Sequence, residues 1–155
     1  MSAENGLSHE QREVLKALYP WYKEEVFRRR EQMMWLTASA SAVLILLLVM
    51  VPAIPALATS SLIAKVVMCG GVSVFYGLMA YLILQQRARH RMAKQVLIEI
   101  EREMGLYEEG RYLPDAALYP KEWQTAWQDD WSVPIYLAVV FLLAGLVIAA
   151  VLLRW

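Results

Sequence analysis

Cysteine is nearly missing from this sequence. Cys69 is the only one among 155 residues, so neither an intrachain disulfide nor a cysteine-based metal site can form. It lies within an apolar run, where a small thiol packs in a helix interface, and redox usage therefore names no compartment. Histidine is almost as scarce: His9 and His90 are the only two, and both fall outside the apolar runs. That excludes a bis-histidine haem between membrane helices and leaves a histidine-rich metal site without ligands. No glycine-rich phosphate loop occurs, because the Gly70-Gly71 pair sits inside an apolar run, where it suits close helix packing. Glu99, Glu101, Glu103, Glu108 and Glu109 form an acidic run that reads as a solvated face rather than as paired general acids. Nothing here calls for a cofactor, and no enzyme is expected. The opening Met1-Ser2-Ala3-Glu4-Asn5-Gly6 lacks the basic region and short apolar core of a signal peptide, so the first hydrophobic run is expected to stay in the mature chain. Net charge is also absent, with 15 basic and 15 acidic residues, and only the distribution of charge carries information.

What the chain does have is apolar length. Hydrophobic residues make up 59% of it, and three runs of about 20 apolar residues each are more than a soluble domain of this size carries. The expected fold is all-α: an integral membrane protein with three transmembrane helices, a long cytosolic extension of the second, and juxtamembrane amphipathic helices. Residues 1–32 form the cytosolic amphipathic and juxtamembrane part, and 33–84 a hairpin of spans at 33–51 and 61–84. Residues 85–131 form a cytosolic arm with an aromatic connection, and 132–155 hold the third span. The first span has 19 residues, about 28 Å, just enough for a hydrocarbon core of about 30 Å.

Ser8 followed by Gln11 has capping-box spacing. Val14, Leu15 and Leu18 share one face of the helix this begins, and Pro20 is expected to end it near Tyr19 and to start the next. Trp21, Tyr22 and Phe27 lie among charges, followed by Arg28, Arg29 and Arg30, a mixture that suits either the headgroup zone or packing on the protein's own arm. Trp35 stands where an interfacial ring belongs, and small residues over 37–42 keep one half of the first span narrow. Pro52 and Pro55 are expected to stop that helix, and the uncharged turn after it is short enough to force an antiparallel hairpin.

The second helix is predicted to run unbroken from 61 to 105, changing solvent at Gln85. Ser73 and Gly77, four apart, offer a packing face in its membrane half. Lys65 reads as a snorkelling residue near the span end, with a pore-lining role as the alternative. Past the span come Arg87, Arg89, Arg91 and Lys94, which suit anionic lipid headgroups better than nucleic acid, and no nucleic acid is expected. Basic residues flank both spans on one side, so the N-terminus is expected in the cytoplasm and the C-terminus on the far side, with the bacterial inner membrane as the location. Met92, Val96, Ile100 and Met104 form a stripe that needs a cover, either the N-terminal helix or a symmetric neighbour's arm. Gly105-Leu106 reads as a helix stop.

Residues 107–120 lose periodicity but stay too aromatic for a free linker. Pro120 is expected to open a short helix with Trp123, Trp127 and Trp131 on one face as interfacial anchors, and Asp129-Asp130 to cap the third span. That span carries Gly145 and Ala149 as a small-residue pair and ends in Arg154 and the anchor Trp155. One echo is visible. Ala17-Leu18-Tyr19-Pro20 recurs as Ala117-Leu118-Tyr119-Pro120, which reads as two uses of one juxtamembrane device.

In layout, a membrane hairpin continuing into a helical arm over about 28–105, the chain resembles the SLATT-type small bacterial membrane proteins, to whose two-span pattern it adds a third span. The resemblance implies a membrane effector or pore in a conflict system and assigns no functional residue. Two functional expectations stand: a non-enzymatic homo-oligomer acting as a pore or effector component, and an accessory or scaffold subunit of a larger membrane complex that uses Tyr107 to Trp131 to hold a cytosolic partner.

Overall fold

The computed structural model describes residues 8–53, 61–125 and 131–153. Three long helices carry most of them: α1 (His9–Ala53), α2 (Leu62–Glu103) and α3 (Ser132–Leu153), with a 3-10 helix at Lys121–Gln124 between the last two. All three α-helices are long and apolar enough to cross a membrane, and the protein is an all-α, three-helix integral membrane protein. Among the described residues the only β-type pairing is an isolated bridge between Leu113 and Ala116.

The helix ends follow from local chemistry. α1 opens in a reciprocal capping box: the Ser8 backbone N–H donates to Gln11 Oε1 at 2.8 Å, and the Gln11 N–H donates to Ser8 Oγ at 3.2 Å. The break expected at Pro20 does not occur, and α1 runs through it for 45 residues. Proline removes one N–H and crowds the preceding turn, a cost of about 3 kcal/mol in a helix interior. Contacts on both sides of it, Tyr19 to Tyr119 and Val26 to His90, hold α1 against the rest of its unit and offset that cost. The separate juxtamembrane helix expected after Pro20 is thus part of α1. Pro52 stands inside the last turn of α1, which ends at Ala53, while Pro55 and the hairpin turn lie outside the described residues.

α2 is the single unbroken helix expected, 42 residues over Leu62–Glu103. Ser61 Oγ accepts the Ala64 N–H at 3.3 Å at its start. Its end is a Schellman motif: Gly105 takes φ 74°, its N–H donates to the Arg102 carbonyl at 2.8 Å, and the Leu106 N–H donates to the Glu101 carbonyl at 3.0 Å. In α3, Pro134 falls in the first turn, where its missing N–H costs nothing.

The chain divides into two compact units. One is apolar, Glu31–Arg87 with Trp131–Trp155, and the other polar, Met1–Arg30 with Ala88–Asp130. In the apolar unit α1 buries Met33, Thr37, Ala40, Leu44 and Val51, and α3 buries Val133, Val140, Ala144, Val147 and Val151. Both sets repeat in steps of three, four or seven, the spacing of a coiled-coil seam. Ala40 and Ala144 are the small residues of the shared core, with Leu44, Val140 and Val147 around them. α2 adds buried Val72 to that cluster, with Phe75, Tyr76 and Met79 partly buried against it, and Ile83 to a smaller one with Met33 and Val133. Across the apolar window of α2, 11% of residues are buried, against 22% in α1 and in α3, so α2 is the least covered of the three.

Candidate functional site

In the polar unit, α1 and α2 lie against each other. The His90 ring, buried at the start of this part of α2, brings Nδ1 within 3.2 Å of the Val26 carbonyl on α1. One turn and more further along, the buried side of α2 is made by Ala93, Leu97, Ile98, Ile100 and Glu101. A carboxylate on that side demands donors, because an uncompensated buried charge is costly. Tyr107 supplies one, its hydroxyl donating to Glu101 Oε2. Gly105 and Leu106 turn the chain, and Tyr107 is thereby placed beside the helix it has just left.

The segment after α2 stays folded back by three further bonds. Tyr112 Oη donates to the Met104 carbonyl at 2.7 Å, the Tyr119 N–H donates to the Leu106 carbonyl at 3.0 Å, and Lys121 Nζ donates to Glu109 Oε1 at 2.9 Å. The last is an exposed ion pair, which lowers the Glu109 carboxyl and raises the Lys121 amine yet adds little stability under solvent screening. Tyr119 then meets α1: its hydroxyl lies 2.9 Å from that of Tyr19. Its ring packs edge-on to Tyr107 at 6.1 Å and tilted against Trp123 at 5.4 Å. The two tyrosines that meet are those of the repeated Ala-Leu-Tyr-Pro tetrapeptide.

These groups perturb one another. Burial first, then the hydrogen bond with Tyr119, pushes the Tyr19 phenol above its ordinary range. Burial first, then the Glu101 carboxylate, does the same to Tyr107. Beside this hub opens a cavity of about 370 Å³ whose wall includes Lys23, Phe27, Lys94, Leu97, Ile98 and Trp123 together with the hub. The Lys23 amine stands over the Tyr19 ring, 5.7 Å from its centroid.

The residues singled out by sequence are distributed differently. Of the expected stripe, Ile100 is buried and Met104 half-buried, but Met92 and Val96 are exposed. The buried face is rotated toward Ala93, Leu97 and Glu101. Ser73 and Gly77 are exposed on α2, with nothing within 4 Å of where a Cβ on Gly77 would sit. Gly145 is equally open on α3, Ala149 is half-buried, and neighbouring Ala144 takes the core position. Lys65 stands in the first turn of α2, half-buried. Arg28 and Arg29 each pair at 2.6 Å with the glutamate four residues earlier, Glu24 and Glu25, while Arg30 is exposed. Arg89 is exposed, and Arg87 and Arg91 are half-buried with their Nε atoms enclosed and without a hydrogen-bond acceptor.

Trp35 and Trp131 are exposed in the apolar unit. Trp123 lies in the four-residue 3-10 turn that follows Pro120 and packs on Tyr119, and the stretch of the tryptophan row between it and Trp131 lies outside the described residues. Trp127, Asp129, Asp130, Arg154 and Trp155 lie outside the described residues. Sequence reading missed the hub of Tyr19, Glu101, Tyr107 and Tyr119. The tetrapeptide echo was its one visible signal. Among the described residues, no group of three or more metal-ligating side chains comes together. Comparison with protein-family models, with characterised proteins and with solved structures gives no match.

Proposed function

We propose that this protein is a non-enzymatic homo-oligomer of the membrane, a pore or the membrane component of an effector system, assembled through α2. The observation that carries this reading is the bare small-residue face of α2. Gly70, Gly71 and Gly77 have open space where a Cβ would be, Ser73 is exposed beside them, and α2 is the least covered helix of its unit. Small faces let helix backbones approach closely in lipid, where packing rather than hydrophobicity drives association. Ser73 donates its hydroxyl to the Cys69 carbonyl at 2.9 Å, so the face brings no unsatisfied group into an interface. The layout resemblance to SLATT-type proteins points the same way. The basic clusters around Arg28 and Arg87 support a cytoplasmic N-terminus, anionic lipid at that surface and a bacterial inner membrane, with the C-terminus on the far side. Two differently tagged copies expressed together test the assembly: capture of one from solubilised membranes is expected to bring down the other, and its failure to do so would remove this reading.

A second reading, an accessory or scaffold subunit holding a cytoplasmic partner, has its own support. Val14, Leu18 and Trp21 follow one another by four and three residues along α1, and all three are exposed. The segment first expected to hold the partner spends Tyr107 and Tyr119 on its own hub, which moves the candidate surface to this row. Gentle affinity purification that recovers the chain alone would count against it.

A further inference from the structure

We propose that Arg87 and Arg91 form a binding site for the oxyanion of a phosphate group, which deepens the reading of anionic lipid at that surface from diffuse attraction to a built site. Four arginines of this chain have a glutamate three or four residues earlier: Arg28 pairs with Glu24 and Arg29 with Glu25 at 2.6 Å, Arg102 with Glu99 at 3.0 Å, and Arg111 with Glu108 at 2.6 Å. Arg87 and Arg91 have no such neighbour, since no residue three or four positions from either on α2 is acidic. Both side chains are half-buried, and the Nε of each is enclosed without a hydrogen-bond acceptor. Among the described residues these two atoms are the enclosed side-chain donors found in that state, and they lie one turn apart on one helix. A guanidinium keeps its charge, so it cannot relieve the cost by losing a proton. Like charges four residues apart also destabilise the helix that carries them. An anion beside the two guanidiniums offsets both penalties.

Donor geometry and depth decide the class of ligand. Enclosure of Nε leaves the two terminal nitrogens of each planar guanidinium to meet the ligand, and such a fork matches paired oxygens on one phosphate or carboxylate. Depth selects the phosphate. The apolar run of α2 ends at Leu84, and Arg87 and Arg91 follow it by three and seven residues, about 4.5 and 10 Å along a helix. With that run in the hydrocarbon core, Arg87 stands at the level of the headgroups. Cα–Cβ bonds of a helix tilt toward its N-terminus, which for α2 is the membrane side, so the longer reach of Arg91 is directed back to the same layer.

The test uses the full chain in phosphate-free maltoside detergent, titrated calorimetrically with dihexanoyl-phosphatidylglycerol, with inorganic phosphate, and with dihexanoylglycerol, which keeps the acyl chains and lacks the phosphate. Saturable binding of a phosphate-bearing probe is expected, weakened about tenfold by Arg87→Gln or Arg91→Gln and further by the two together. Arg91→Lys, which keeps the charge and loses the fork, is expected to weaken it severalfold. Arg89→Gln removes an exposed charge from the opposite side of α2 and is expected to change it by less than about twofold. Tighter binding of the lipid assigns the natural phosphate to the bilayer, and tighter binding of inorganic phosphate assigns it to solution; either supports the site. Equal binding of dihexanoylglycerol, unchanged binding when both arginines are exchanged, or as large a loss in Arg89→Gln would each overturn it. Far-UV circular dichroism checks that the variants keep their helices, and Arg91→Lys carries the decision if a glutamine exchange does not. Binding is counted per chain, so failure here leaves the assembly through α2 standing.

Discussion

Tyr19 and Tyr119 sit a hundred positions apart in sequence and share a hydrogen bond of 2.9 Å, so the hub ties α1 to the far end of the polar unit's chain. Losing that bond through Tyr119→Phe is expected to cost about 1 kcal/mol, measured as a lower thermal midpoint by near-UV circular dichroism. Alkaline pH probes the same residues. Tyr19 and Tyr107 have folded pKa values above the unfolded phenol value of about 10, so their contribution to stability is complete below about pH 10 and is lost as pH rises beyond it. In phenolate absorbance the Tyr19→Phe and Tyr107→Phe variants should each remove one late-titrating tyrosine. Gly105 makes a different demand. Its φ of 74° suits glycine, and a Cβ there would also push the Arg111 side chain aside, so Gly105→Ala should cost roughly 1–2 kcal/mol and loosen Tyr107 from Glu101. None of these pairings was legible in the sequence beyond the tetrapeptide echo, because periodicity reports which face a residue takes and not which distant residue it meets.

At the scale of elements, α2 was the most readable. No proline or glycine falls between Gly77 and Gly105, and the Gly-Leu stop is the Schellman motif that residue pair favours. Its buried face was less so. Residues 92–104 carry apolar side chains on two adjoining faces, and Glu101 marks the truly buried one with a charge that a hydrophobic pattern reads as outward. α1 was misread at Pro20 for a related reason: proline breaks a helix by default, and what carries α1 through it is tertiary contact on both sides. Pro20→Ala restores a backbone donor in an exposed helix position and should raise the thermal midpoint, by up to about 3 kcal/mol of helix stability, while preserving the Tyr19–Tyr119 bond. A fall in the midpoint would mean that the proline ring shapes α1 for its contacts.

At the scale of the molecule, three apolar helices were legible as runs of about 20 residues, but the seam between α1 and α3 and the division of labour among the helices were not. Gly145, paired with Ala149 in the sequence as a face for packing between subunits, is open on α3, while its neighbour Ala144 enters the α1–α3 core, and composition does not separate the two in an all-apolar helix. α2 is left with its small residues facing outward, and the assembly proposed above rests there. The orientation that goes with it predicts that alkaline phosphatase fused to the C-terminus is active and that the same reporter at the N-terminus is silent. The central claim is that copies of this chain meet through α2. It is tested most directly by the mass of the complex extracted in native lipid, for wild type and for Gly77→Leu, whose added Cβ has nothing within 4 Å in the protomer. The account predicts a multiple of the 17.7 kDa chain for wild type and a shift toward the single chain for the variant, whereas a single-chain mass for wild type, or an unchanged multiple in Gly77→Leu, would contradict it.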